Sequence, residues 1–205
     1  MNKTLKTLLA LAGLIAACAS PVRGVVIVNA NEVGGNVLFA GGGTFNLAGL
    51  SILAGYNYST QAYISSAFIP TATFGANPAT AILVDTYAGF PEMPFGSGLD
   101  RVADLGSGDR FGVNANQLLV PAGYLSGSLL SATNTYSGMT FDSLGVTPGS
   151  YTWTWGSGMD ADSFTLNIVA TPSAVPESGS TAFSMLLSLG ALAVLGRSGP
   201  WMRAK

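Results

Sequence analysis

The sequence predicts an all-β fold: a single antiparallel β-sandwich or jelly-roll domain, flanked by an N-terminal signal helix and a C-terminal transmembrane helix. Three observations predict it. Short β-branched and aromatic runs alternate with Gly-, Pro- and Asn-rich turns between residues 25 and 170. No long amphipathic helical period occurs in that stretch. An apolar stretch with basic residues beside it sits at each end of the chain. The expected organisation is a signal peptide at 1–19, an extracellular β domain at 20–171, a linker and short motif at 172–180, and a transmembrane helix with a basic tail at 181–205.

The N-terminus places Lys3 and Lys6 before about ten apolar residues beginning at Thr7, the n-region and h-region of a secretory leader. Ala17-Cys18-Ala19 has the small-x-small form that signal peptidase accepts, with cleavage expected before Ser20. Ile15-Ala16-Ala17-Cys18 also fits a lipobox, which would acylate Cys18 and tether that end to a membrane.

Within the body, Val25–Asn29 is a β-branched run bounded by polar residues 29–32, and Gly34-Gly35 punctuates it. Val37–Phe39 and Thr44–Leu47 read as paired strands around Gly41-Gly42-Gly43. Alternation weakens from Ala62 to Phe74, and Ala81–Asp85 is a further short run. Thr147-Pro148-Gly149 is a turn signal, since proline presets φ and glycine is free to take φ > 0. After it, Tyr151, Trp153 and Trp155 alternate with Thr152 and Thr154. Past Gly156-Ser157-Gly158, Phe164, Leu166 and Ile168 alternate with Thr165 and Asn167, which predicts an antiparallel hairpin with one apolar face. The Tyr151-Trp153-Trp155 row reads as core packing. Its functional alternative is an exposed platform for stacking on sugar rings, with Tyr87 as a further candidate. Gly-Ser-Gly recurs at 96–98, 106–108 and 156–158 and reads as loop.

Composition excludes much chemistry. Charged residues make up 9% of the chain, against about 25% in typical globular proteins. Between Val25 and Ala170, two arginines face nine carboxylates, a net charge of −7. Such a surface repels phosphate backbones, which argues against nucleic acid as a partner. The body has no His, Cys or Lys, so a serine nucleophile lacks its usual base and histidine or thiolate metal sites are not available. No cofactor motif is present. Carboxylate chemistry survives as an option. Asp100, Asp104 and Asp109 cluster in sequence, as do Asp160 and Asp162, and a glycosidase needs such a pair. Calcium needs hard oxygens, but these spacings do not match an EF-hand loop. Both groups read as solvated loop acids, with Asp100 and Asp109 neighbouring Arg101 and Arg110.

The C-terminus carries the most specific pattern. Val175-Pro176-Glu177-Ser178-Gly179 precedes an apolar stretch from Thr181 to Gly196, and then Arg197, Arg203 and Lys205. Sixteen helical residues span roughly 24 Å, short of a ~30 Å hydrocarbon core. Cations on both flanking ends orient both ends to the cytoplasm and the body outside. This three-part ending resembles the PEP-CTERM class of bacterial sorting signals, closest to its VPDSG variant. Glu177 stands where that variant has Asp, and Ser178 where the commonest form has a second proline. The resemblance covers about thirty residues. It implies recognition by an exosortase-type transpeptidase, cleavage near Pro176-Glu177 and loss of the helix. It also implies a setting of extracellular polysaccharide. Segments between Leu118 and Ile168 likewise resemble bodies that precede such signals. The expectation is therefore an exported, non-enzymatic surface or matrix protein, anchored in the membrane until processed, whose partners are signal peptidase, the Sec translocon, the transpeptidase and extracellular polysaccharide. Its alternatives are a carbohydrate-binding module and a carboxylate-dependent hydrolase.

Overall fold

The structure, a computed structural model, describes residues 24–53, 58–67, 69–89 and 91–170. Cys18, the motif Val175–Gly179, the expected signal helix and the expected transmembrane helix all lie outside these residues. No helix among the described residues is long and apolar enough to cross a membrane. The chain divides into two units, 1–171 and 172–205, and every described residue belongs to the first.

The described region is all-β, built on two sheets. The first contains β1 (Val25–Val33), β2 (Asn36–Thr44), β9 (Leu105–Gly108), β12 (Leu129–Tyr136), β13 (Gly149–Trp155) and β14 (Asp162–Val169), in the order β13-β14-β1-β2-β12-β9. Its pairings are antiparallel except one: β1 runs parallel to β14, with Val26 opposite Phe164 and Val28 opposite Leu166. That is a correction to the expected wholly antiparallel arrangement. The physical reason is topological. Hairpins supply antiparallel neighbours, but the first and last strands meet only after the whole body has been traversed, and a long crossover permits parallel pairing. The hairpin predicted around Trp153 forms as β13–β14, with Trp153 opposite Phe164.

Three local expectations fail here. Gly41-Gly42-Gly43 is not a turn, since β2 runs straight through it to Thr44. A Cβ at Gly41 would collide with the carbonyl of Ile27, and one at Gly42 with that of Leu130, so the glycines permit close approach of both neighbouring strands. Phe45–Leu47 is not a strand. Its three N–H groups are satisfied by side chains instead, donating to Tyr124 Oη at 2.8 Å, Asp162 Oδ2 at 2.5 Å and Ser126 Oγ at 3.0 Å. The second Gly-Ser-Gly, residues 106–108, lies within β9 and not in a loop.

The second sheet contains β3 (Ser51–Ile52), β4 (Tyr58–Thr60), β5 (Tyr63–Ser65), β6 (Thr71–Phe74), β7 (Ile82–Ala88), β8 (Arg101–Val102), β10 (Phe111–Asn114) and β11 (Gln117–Pro121). Its order is β3-β7-β11-β10-β6-β5-β8, with β4 sharing the β3 edge of β7, where it pairs with Ile82–Val84. Laid flat, β4 and β5 would stand five strand spacings apart, roughly 24 Å. Only Gln61 and Ala62 separate them in sequence. Three Cα steps reach at most about 11 Å. The sheet must therefore curl until β4 and β5 meet.

The register fixes which face turns inward on itself. Thr71 and Asn114 are partners, as are Asn114 and Gln117, and Thr86 lies opposite Leu119. This concave face holds Thr60, Ser65, Thr71, Thr73, Thr86, Val84 and Leu119, all buried. Asn114 Nδ2 on β10 reaches Tyr58 Oη on β4 at 2.8 Å, a contact that spans the concavity. The opposite face supplies Ile64, Ala72, Phe74, Phe111, Val113, Leu118 and Val120 to one core shared with the first sheet. Phe39 meets Phe74 across that core with ring centroids 5.7 Å apart, and Phe45 meets Phe111 at 6.2 Å.

Arg110 holds the seam. It is buried, and its Nη2 donates to the carbonyls of Ala76 at 2.7 Å and Asn77 at 3.2 Å. That loop in turn accepts from the two-residue link: Ala62 N–H donates to Pro78 O at 3.0 Å and Gln61 Nε2 to Ala79 O at 2.6 Å. Arg110 does not pair with Asp109 as its neighbourhood suggested. Arg101 pairs not with Asp100 but with Asp104, at 3.3 Å and on the surface. Charged donors to carbonyls contribute more than an exposed ion pair. Arg110→Ala should therefore lower unfolding free energy by roughly 2 kcal/mol or more, and Arg101→Ala by about 1 kcal/mol at most, as read by urea denaturation of both variants.

Candidate functional site

The concave face opens into a cavity of about 570 Å³. That is within the range of small-molecule sites, roughly 300–1,000 Å³. Its apolar lining comes from Leu53, Ile69 and Ala115, and its polar lining from Tyr58, Thr86, Asn114 and Gln117. No charged residue is among them. Two elements position the polar groups. The β10–β11 hairpin carries Asn114 and Gln117 as directly opposed partners at its tip. Its turn is tight enough to hold Ala115 at φ 51°, a left-handed conformation unusual for alanine. On the far wall, β4 presents Tyr58. Asn114 is fixed from two sides: its Nδ2 donates to Tyr58 Oη, and its Oδ1 accepts from Thr71 Oγ1 at 3.3 Å.

Sequence reasoning missed this site. Tyr58 sits in a segment with no visible period, and Asn114 and Gln117 look like turn polar residues. The one available signal was the weak alternation near Ala62–Phe74. A strand buried on both faces loses its alternation, and β6 is buried at all four positions.

The predicted aromatic row lies elsewhere. Trp153 is 1% exposed and Trp155 4%, and both belong to the shared core. Trp153 packs on Phe164 at 5.4 Å and on Phe95 at 6.5 Å. Trp155 Nε1 donates to Asn46 O at 2.8 Å. Tyr151 is half-buried against Phe95 at 6.0 Å, and its hydroxyl donates to Thr147 O at 2.9 Å. These rings do not form an exposed platform. Their face is the one that sheet pairing turns inward, so the core-packing reading applies to them. Tyr87 is likewise partly buried against the core, on the opposite face of β7 from Thr86. Burial, with the Asp85 charge adding to it, pushes its hydroxyl above its ordinary range.

The carboxylates are not simply solvated. Asp85 accepts from Gly123 N–H at 2.8 Å, Asp104 from Ser137 N–H at 2.7 Å, Asp109 from Ser131 N–H at 2.9 Å and Glu32 from Phe141 N–H at 2.5 Å. Glu32 thereby ties β1 to the single helical turn α1 (Phe141–Leu144). Asp162 belongs to β14 and is buried. It accepts from Asn46 N–H at 2.5 Å and Ser163 N–H at 2.6 Å. With Trp155 on the Asn46 carbonyl, it clamps both polar ends of that residue. Among the described residues, no group of three or more His, Cys, Asp or Glu could hold a metal ion.

The chain matches no protein-family model, no curated protein and no solved structure.

Burial raises the Asp162 carboxyl to about 6 from an ordinary 3.8, outweighing the two N–H donors that pull it down. The fold thus favours the protonated acid. The associated stability is fully present below pH 3.8 and is lost as pH rises through about 6. Asp162→Asn removes the titration. The stability of the parent relative to this variant should fall by up to about 3 kcal/mol between those limits, measured by denaturant unfolding across that pH series.

Proposed function

We propose that this chain is an exported bacterial surface or extracellular-matrix protein whose body is a β-sandwich with no catalytic role. The leader at 1–19 takes it through the Sec translocon to signal peptidase, and the C-terminal signal passes it to an exosortase-type transpeptidase. One observation carries the reading: Val175–Gly179, the apolar stretch Thr181–Gly196 and the cations Arg197, Arg203 and Lys205 follow one another in that order. The protein is anchored transiently in the inner membrane, then released to the cell surface or matrix, where extracellular polysaccharide is its expected surrounding.

The body supports a non-catalytic role in two ways. It has no His, Cys or Lys. Five of its carboxylates, at Glu32, Asp85, Asp104, Asp109 and Asp162, accept backbone N–H bonds that hold loops in place. A carboxylate-dependent hydrolase finds less support, because among the described residues the lining of the cavity includes no acid. A carbohydrate-binding module finds support in that same uncharged lining.

Intact mass spectrometry of the protein recovered from a host with an exosortase checks the sorting reading. The expected species begins at Ser20 and ends near Pro176. Substituting Pro176→Ala should leave the C-terminal segment attached. A mature species that keeps Phe183–Lys205 in the unsubstituted chain would replace sorting with a plain membrane anchor.

A further inference from the structure

We infer that the cavity between the β10–β11 hairpin and β4 is a binding site for a neutral sugar. It names the ligand class for the body of the proposed matrix protein, but it rests on the cavity alone.

Charge decides the class of ligand first. Among the described residues, the lining includes neither a cation nor an acid. A phosphate, a carboxylate or a metal ion would lose part of its hydration there and find no opposite charge among the described lining residues in return. A wholly apolar ligand is mismatched too, since it would cover the Gln117 amide without giving it a partner. The ligand must be uncharged and rich in hydroxyls, with apolar surface as well.

A pyranose meets each condition. Tyr58, Leu53, Ile69 and Ala115 offer apolar surface to ring C–H groups. The Gln117 amide carries no hydrogen bond among the described residues, and so keeps both a donor and an acceptor for adjacent hydroxyls. Tyr58 Oη accepts from Asn114 and is also hydrogen-bonded to the Tyr63 side chain, so its ring is held in place as a wall of the cavity. Asn114 is the anchor of the set, because Thr71 and Tyr58 hold its amide in one orientation before any ligand arrives. Such preorganisation lowers the entropy lost on binding. Ile69, 55% exposed, stands at the entrance as an apolar contact. The cavity volume suits a mono- or disaccharide, or a short stretch within a longer chain.

Saturation-transfer NMR on the full chain tests this, with glucose, galactose and cellobiose as neutral probes and glucuronate and glucose 6-phosphate as anionic ones. At least one neutral probe should bind with Kd on the order of 1 mM. Gln117→Ala should weaken it about tenfold, and Ile69→Ala, which removes apolar contact at the entrance, should weaken it also, while both variants keep the thermal midpoint of the parent. The anionic probes should bind at least roughly tenfold more weakly than their neutral parents. If Ile69→Ala fails to fold, Gln117→Ala decides. The site is overturned if every neutral probe binds with a Kd well above ~1 mM, if binding survives Gln117→Ala unchanged, or if the anionic probes bind as well as the neutral ones. The mass of the processed protein reads only its ends, so failure here leaves the sorting reading standing, and the reverse also holds.

Discussion

The constraint on which the rest of the structure depends is the two-residue link Gln61–Ala62. It joins strands that sit at opposite ends of a six-strand path, and a chain that short cannot bridge a flat sheet. Curling is the only solution, and it gives the second sheet two buried faces where an ordinary open sheet has one. The convex face meets the first sheet in an aromatic and aliphatic core. The concave face closes on itself and is filled by threonines, Val84 and Leu119. Threonine suits that interior: it is β-branched, small, and able to satisfy its own hydroxyl on a nearby carbonyl. Thr73 Oγ1 does so on Gln61 O at 2.7 Å, and so ties the link to β6.

The seam explains why so uncharged a body keeps a buried arginine. A guanidinium reaches several carbonyls at once, as no neutral side chain can. Arg110 spends that reach on the loop that receives the link. Its Nε and Nη1 are buried without partners, and burial lowers its pKa, so the arrangement carries a desolvation cost. The first sheet uses the opposite device on its outer face. Thr152 pairs with Thr165, Ser150 with Asn167, Asn167 with Asn29 and Ser107 with Thr133 through hydroxyl and amide bonds across strands. Cross-strand polar pairs of this kind stabilise a sheet surface without ions. The low charge of the chain is therefore met by neutral hydrogen bonds on one sheet and by a single buried cation at the seam of the other.

What the sequence made legible follows from how many faces each strand buries. The β13–β14 hairpin was readable because its outer face is wet and its inner face dry, which leaves Tyr151, Trp153 and Trp155 alternating with threonine. The same alternation shows why those rings are core and not platform. β5, β6, β10 and β11 were barely readable, because burial on both sides erases the period that marks a strand. Gly41–Gly43 misled because glycine marks a turn and a close strand contact alike, and only the partner strands distinguish the two. The cavity was invisible for a further reason. Tyr58 and Asn114 are 56 residues apart and meet only through the curl.

These features converge on what the domain can do with its polar groups. Five acids, Glu32, Asp85, Asp104, Asp109 and Asp162, are committed to backbone N–H groups, and a carboxylate holding a loop cannot move to a substrate without releasing that loop. Asp162 shows the commitment most strongly, since it stays in place although burial favours its protonated form. The unspent polar capacity among the described lining residues includes the neutral Gln117 amide at the mouth of the curled sheet. Groups of that kind neither titrate near neutral pH nor attack, but they discriminate hydroxyl patterns well, because an unmatched buried amide costs about as much as a matched one gains. The geometry that places these groups is the one that the Gln61–Ala62 link imposes.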